Sequence, residues 1–142
     1  MKKTITSVTS ILLSVLLLLC VVSCGNTVDA TGLWENATYR KDTSFGTGAK
    51  TVMVEVKAGE DSVTFTIKTD KTTLGDALLE HGLIAGDMGD YGLYVKVVNG
   101  ITADYDVDQS YWGFFKNGEY MMTGVDGTEI ADGEHYELVY SK

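Results

Sequence analysis

Tyr111-Trp112-Gly113-Phe114-Phe115-Lys116-Asn117-Gly118-Glu119-Tyr120-Met121-Met122-Thr123 is the stretch whose reading decides the fold. Asn-Gly adopts positive φ at both centres of a tight turn, and the twist of that turn matches paired strands. It is therefore the strongest short signal for a hairpin. A two-residue turn sets Lys116 opposite Glu119, Phe115 opposite Tyr120, Phe114 opposite Met121 and Trp112 opposite Thr123. Side chains alternate along a strand, so Trp112, Phe114 and Met121 share one face. Tyr111, Phe115, Tyr120 and Met122 share the other. Both faces are apolar, whereas a sheet covered on one side needs only one. The surplus is covered by the Trp34/Tyr39 segment or a loop, or else it meets a ligand or partner.

Working outward, the last strand runs from His135 to Tyr140, with Tyr136, Leu138 and Tyr140 alternating with Glu137 and Val139. Upstream, Val52, Val54 and Val56 alternate with Met53, Glu55 and Lys57. Val63, Phe65 and Ile67 alternate with Thr64, Thr66 and Lys68. Ala58-Gly59-Glu60-Asp61 between them reads as a turn, giving a second hairpin with one core face. Thr72 or Thr73 can cap a helix that places Leu74, Ala77 and Leu78 on one face and ends at Gly82. Leu93 to Asn99 is a further strand, while Leu83 to Tyr91 and Asp42 to Lys50 read as loops. The order hairpin, helix, strand, hairpin, strand predicts an α+β fold, a β-grasp-like mixed sheet crossed by a single helix.

The start of the chain has a different logic. Lys2 and Lys3 precede an apolar run, Ile11 to Leu19, that is shorter than the roughly 20 residues of a spanning helix. Val21-Val22-Ser23-Cys24 then matches the lipobox of bacterial lipoproteins. The expectation is a lipoprotein signal peptide at 1–23, a lipidated Cys24 with a polar tether to residue 31, a docked arm and loop over 32–49, and one domain over 50–142. Cys20 leaves with the signal, and Cys24 carries the lipid, so neither supplies a disulfide, a thiol nucleophile or a Cys-based metal site. This places the protein on the extracellular face of a bacterial membrane.

Composition narrows the partners. The whole chain carries a net −9, and residues 24–142 carry 9 Lys and Arg against 20 Asp and Glu, a net −11. Such a charge repels phosphate backbones and anionic headgroups, which argues against nucleic acid and against direct membrane-surface binding. Asp104, Asp106 and Asp108 resemble the start of a calcium loop, but Gln109 and Phe115 stand where that loop needs Gly and Glu, so a solvated acidic loop is the better reading. There are two His, His81 at a helix end and His135 at a strand start. No Gly-x-Ser-x-Gly and no metal-ligand spacing is present. The expectation is a non-enzymatic protein without a metal site.

Gly92-Leu93-Tyr94-Val95-Lys96-Val97-Val98-Asn99-Gly100-Ile101, then Tyr111-Trp112-Gly113-Phe114-Phe115, Gly124-Val125 and Asp132-Gly133-Glu134, carry a family likeness across roughly residues 50 to 142. Here the sequence resembles the C-terminal β-domain of transcobalamin and intrinsic factor, the cobalamin carriers, and the bacterial lipoproteins with this domain, a family catalogued as of unknown function. The resemblance implies a corrinoid contact surface on Lys96, Val97, Val98, Asn99, Gly100 and Ile101, and on Trp112, Gly113, Phe114 and Phe115. It implies a corrinoid such as cobalamin as ligand, with no catalytic cofactor. Aromatic and aliphatic groups suit the broad face of a corrin, and Asn99 or free backbone groups suit its amide rim. The carriers enclose cobalamin between this domain and a helical one that has no counterpart in this sequence, so a neighbouring transporter is the expected second half.

Two functions are compatible with these features. One is a lipid-anchored binding protein that delivers a corrinoid to a transporter. The other is a protein-interaction or adhesion module that uses the same hairpin to hold another surface protein.

Overall fold

The computed structural model describes residues 26–142; the signal peptide expected at 1–23 and the lipidation expected at Cys24 lie outside the described residues. The alternating stretches form β2 (Lys50–Ala58) and β3 (Asp61–Thr69), preceded by β1 (Thr43–Phe45). β2 and β3 pair in full antiparallel register from Lys50 opposite Thr69 to Ala58 opposite Asp61. Val52, Val54, Val56, Val63, Phe65 and Ile67 are all buried on the inner face. β1 lies within the segment expected to be a loop. It is a three-residue strand parallel to β3, with Phe45 beside Ile67.

Helix α1 (Leu74–Glu80) starts where the threonine pair predicts, with the Thr73 hydroxyl accepting a hydrogen bond from the Asp76 N–H at 3.2 Å. Leu74, Ala77 and Leu78 are buried, while Leu79 stays half in water. Gly82, at φ +64°, turns the chain out of the helix.

The segment that follows corrects the expected loop at 83–91. Strand β4 (Ile84–Gly89) pairs with β5 (Gly92–Val98), which also pairs with the short β6 (Ile101–Thr102). These three make a separate sheet, so β5 does not join the main one. A bulge sits between Ala85 and Gly86. A Cβ at Gly86 would lie 1.9 Å from the Tyr94 carbonyl oxygen, so the close approach of β5 requires glycine there.

The three acidic residues beyond β6 form a short helical turn, α2 (Tyr105–Asp108). The Asp104 carboxylate caps it by accepting from the Asp106 N–H, and Asp108 accepts from both the N–H and the hydroxyl of Ser110. These carboxylates serve local structure.

Strand β7 (Tyr111–Lys116), the turn at Asn117 and Gly118, β8 (Glu119–Tyr120) and β9 (His135–Ser141) complete the main sheet. Its order is β1-β3-β2-β9-β7-β8. β9 runs parallel to β2 and antiparallel to β7, which makes the sheet mixed and sets the closing strand in its middle, as in a β-grasp fold. Asn117 and Gly118 have φ 50° and 80°, the expected pair of left-handed turn residues.

The N-terminal arm docks on the first hairpin. Trp34 is buried, and its indole N–H donates to the Ala58 carbonyl at 2.9 Å. Tyr39 packs edge-on against Phe45 and Phe65, with centroids 5.1 and 5.8 Å apart. Ordered contact begins earlier than the expected tether allows: Val28 is buried, and its N–H donates to the Arg40 carbonyl. The arm contacts the β2–β3 end of the sheet and leaves the outer face of β7 uncovered.

Candidate ligand-binding site

The β7–β8 hairpin follows its expected register for two pairs, Lys116 with Glu119 and Phe115 with Tyr120. The Met121 N–H then donates to the Phe114 carbonyl at 2.9 Å. There the pairing stops, and Trp112 does not pair with Thr123. Instead the chain from Met121 to Val125 runs beside β5, and a groove of about 220 Å³ opens where Trp112 would pair with Thr123. Trp112 and Phe114 form one part of its lining, Leu93, Tyr94 and Val95 another, and Tyr120 to Val125 a third, with Leu138 beneath.

The side of β7 that faces this groove is the buried one. Trp112 is 9% exposed and packs edge-on against Tyr140. Phe114 is 8% exposed and stacks on Tyr136 at 5.8 Å. Burial pushes the Tyr136 hydroxyl up, and its bond to Glu134 adds to the shift. The Trp112 indole nitrogen is buried with no hydrogen-bond partner among the described residues. Desolvating an N–H without a partner costs about 1–3 kcal/mol.

Asp126 holds the far wall. Its carboxylate accepts from the Leu93 N–H at 2.9 Å, and a Cβ at Gly92 would lie 2.4 Å from a carboxylate oxygen. This contact draws the Met121–Val125 segment onto β5 and away from β7. No charged side chain lines the groove. The lysines of β7 and β5 are committed elsewhere: Lys116 to Glu134 at 3.2 Å, and Lys96 to Asp87 at 2.9 Å. The hydrogen bond from Lys96 to Asp87 holds its ammonium above the ordinary lysine value.

The outer face of β7 is partly self-covered. Gly113 lies on it, and the Phe115 ring lies against that bare backbone with its edge to Tyr120. Tyr111 and Tyr120 remain exposed. Of the four hairpin residues assigned by resemblance, Trp112 and Phe114 therefore enter the groove, whereas Gly113 and Phe115 face the opposite side.

The second stretch lies elsewhere. Lys96 is tied to Asp87, Val97 pairs with Ala85 and Thr102, and Val98 and Ile101 are core residues. The Asn99 side chain is occupied by the arm: Oδ1 accepts from the Tyr39 N–H at 2.8 Å, and Nδ2 donates to the Tyr39 carbonyl at 2.7 Å. Gly100 and Ile101 line a separate shallow cleft of about 360 Å³ with Gly32, Leu33, Asn36 and Thr102. The two stretches do not converge on one cavity. Sequence reasoning missed Leu93, Tyr94 and Val95 and the Tyr120–Val125 wall. Leu93 to Asn99 read only as a further strand whose contact residues began at Lys96, and nothing local marks the wall.

Residues 71–142 match the family described as a domain of unknown function, DUF4430. The chain belongs to that family. The DUF4430 segment holds α1 and strands β4 to β9, and hence the whole groove. A solved structure of a candidate metal-binding protein from Ruminococcus gnavus is similar at 35% identity and TM-score 0.63, covering 66% of this chain and 98% of the other. Haptocorrin in complex with Cbi is similar at 21% identity and TM-score 0.51, covering 69% of this chain and 26% of haptocorrin. At that identity the likeness is one of fold, and the DUF4430 chain spans about a quarter of haptocorrin. A comparison with curated proteins finds no match. Among the described residues no group of three or more His, Cys, Asp and Glu is placed to hold a metal ion.

Proposed function

We propose that this protein is a lipoprotein of the extracellular membrane face that binds cobalamin or another corrinoid and passes it to a transporter, without catalysing a reaction. The observation that carries this reading is the groove between β5 and β7. Its lining is aromatic, aliphatic and Met-rich and has no charged side chain. Such a lining suits a broad, neutral, apolar face with a few polar groups at its edge. The shared fold with haptocorrin, a protein seen with Cbi bound, supports the corrinoid as ligand class.

At about 220 Å³ and open to solvent, the groove encloses only part of such a molecule. The affinity of this chain alone is accordingly modest, and a second protein is expected to cover the exposed side. A lipid on Cys24 would hold the domain beside such a partner and raise its effective concentration. Titration of the full chain in detergent with cobalamin and cobinamide tests the reading, and no binding at millimolar ligand would sink it. Cys24→Ser should release the chain from the membrane fraction; continued sedimentation with membranes would overturn the anchor.

A second reading is favoured by the β4–β5 ribbon. β4 is an edge strand exposed from Ala85 to Gly89, and Met88 and Tyr91 stand in water near its tip. An adhesion or docking module would use that edge. Met88→Lys with Tyr91→Lys should abolish capture of a surface protein while leaving corrinoid titration unchanged.

A further inference from the structure

We infer that the end of the main sheet at which the chain enters the domain is a membrane-contact face, seated on zwitterionic lipid headgroups by Leu33, Tyr105, Val107 and Tyr111. This rests on the lipid anchor proposed above and specifies which surface the anchor brings to the bilayer. The Asn26 side-chain amide donates to the Ser62 carbonyl at 2.8 Å, Thr27 bridges to Lys41, and the Val28 N–H donates to the Arg40 carbonyl. The arm is therefore fastened from Asn26 onward, beside the turn that joins β2 to β3. Two residue steps separate Asn26 from Cys24, a reach of at most about 7 Å. The far end of the nine-residue strand β2 lies about 27 Å beyond that turn. An acyl chain on Cys24 thus brings the β2–β3 turn end to the bilayer.

The same end gathers exposed apolar side chains from the arm, α2 and β7. Leu33 lies over the turn, 3.9 Å from where a Cβ at Gly59 would be, and is 38% exposed. β9 runs parallel to β2 with Val139 beside Lys57, so Ser141, and Tyr111 opposite it, lie towards that turn. Helix α2 leads into β7, and its Asp108 holds Lys142 at 3.2 Å, so Tyr105 and Val107 belong to this end too. They are 55% and 80% exposed. Tyrosine favours the headgroup level of a bilayer, where its ring is shielded and its hydroxyl stays wet, and an aliphatic side chain gains by leaving water. The opposite end presents Asp70, Asn117, Gly118, Asp132 and Gly133, none of which gains there. Carboxylates outnumber cations at the entry end: Glu60, Asp61, Asp104 and Asp106 stand against Arg40 and Lys41, while Asp108 and Lys142 pair. An anionic surface repels such a face, whereas a zwitterionic headgroup offers its ammonium to the carboxylates.

The test uses the full lipidated chain in vesicles of phosphatidylethanolamine and phosphatidylcholine, with a polarity-sensitive dye on Val107→Cys, Glu119→Cys or Met88→Cys. All three positions are exposed, so the fold is spared. The dye at Val107 should emit at shorter wavelength and be quenched by a nitroxide-headgroup lipid, and the dye at Glu119 should show neither effect. Quenching at Glu119 or Met88 that equals or exceeds that at Val107 would overturn the orientation. Adding Tyr105→Ser with Tyr111→Ser should reduce the quenching at Val107 while the chain still sediments with the vesicles. No reduction would show that the anchor alone sets the distance, and overturn the contact face. Phosphatidylglycerol in the vesicles should also weaken the quenching, and an unchanged signal would overturn the headgroup preference. A chain that does not sediment with vesicles would overturn the anchor, and this inference with it, while leaving corrinoid binding untouched.

Discussion

The Phe115 ring rests against the backbone of Gly113, two residues earlier on the same strand face: a Cβ at position 113 would lie 3.0 Å from a ring carbon. The phenyl group replaces the side chain that glycine lacks. Gly113→Val should push the ring outward and lower stability by about 1–2 kcal/mol, because overpacking costs that much. Combining it with Phe115→Ala should recover part of the loss. Chemical denaturation of the single and double variants measures this, and strict additivity would show that the two sites do not interact.

Asn99 ties the arm to the β5–β6 turn through two hydrogen bonds to the Tyr39 backbone and holds φ at 53°. Asn tolerates that left-handed conformation better than most residues. Asn99→Asp keeps the shape but turns an acceptor towards the Tyr39 carbonyl. The expected cost is about 2 kcal/mol from the unsatisfied pair. Hydrogen exchange should accelerate over residues 27–39 before it does in β2. Unchanged protection of the arm would refute the tie.

Lys57 and Glu137 meet on the outer face of the sheet at 2.7 Å, with the Glu137 side chain 13% exposed. The bond from Lys57 holds the Glu137 carboxyl below its ordinary value, against the opposing effect of burial. A depressed carboxylate contributes stability above its unfolded value and loses it as pH falls through the lower, folded one. Lys57→Met should cost about 1 kcal/mol at neutral pH, since the pair is partly solvent-screened. The gap from wild type should narrow below about pH 4.5. Thermal unfolding across pH 3 to 7 checks the sign.

Asp126→Ala removes the acceptor for the Leu93 N–H and frees the wall of the groove from β5. Stability should fall by about 1–2 kcal/mol. Exchange at Met121 to Val125 should rise, and corrinoid affinity should fall because the wall is no longer preorganised. A variant with full affinity would mean that the wall does not shape the site.

Much of this fold was legible in the chain wherever the deciding interaction was local. Strict alternation gave β2, β3 and β9, Thr73 gave the helix start, and Asn117-Gly118 gave the hairpin with the correct near-turn register. Strands β1 and β4 were not legible, because each depends on a distant partner. Thr43-Ser44-Phe45 has no alternation of its own, and Gly86 reads as loop until Tyr94 is seen pressed against it. Trp112 and Phe114 stood out as part of the site. The opposite wall did not, since Met121-Met122-Thr123 would continue a strand, and what diverts it is a contact from Asp126 to Leu93, 33 residues away. Asn99 read as a free ligand group for the same reason: its partner, Tyr39, is 60 residues upstream.

The parallel pairing of β2 with β9 also bears on how the chain reaches this state. Lys57 and Glu137 are 80 residues apart in sequence yet sit on adjacent strands at the middle of the sheet. Until residues 135–141 arrive, β2 and β7 each present a bare edge, and closing so long a loop demands its entropy before any reward. Folding should then be cooperative and on the slow side for a domain of this size, milliseconds or longer, with premature strand exchange between neighbouring molecules as its main hazard.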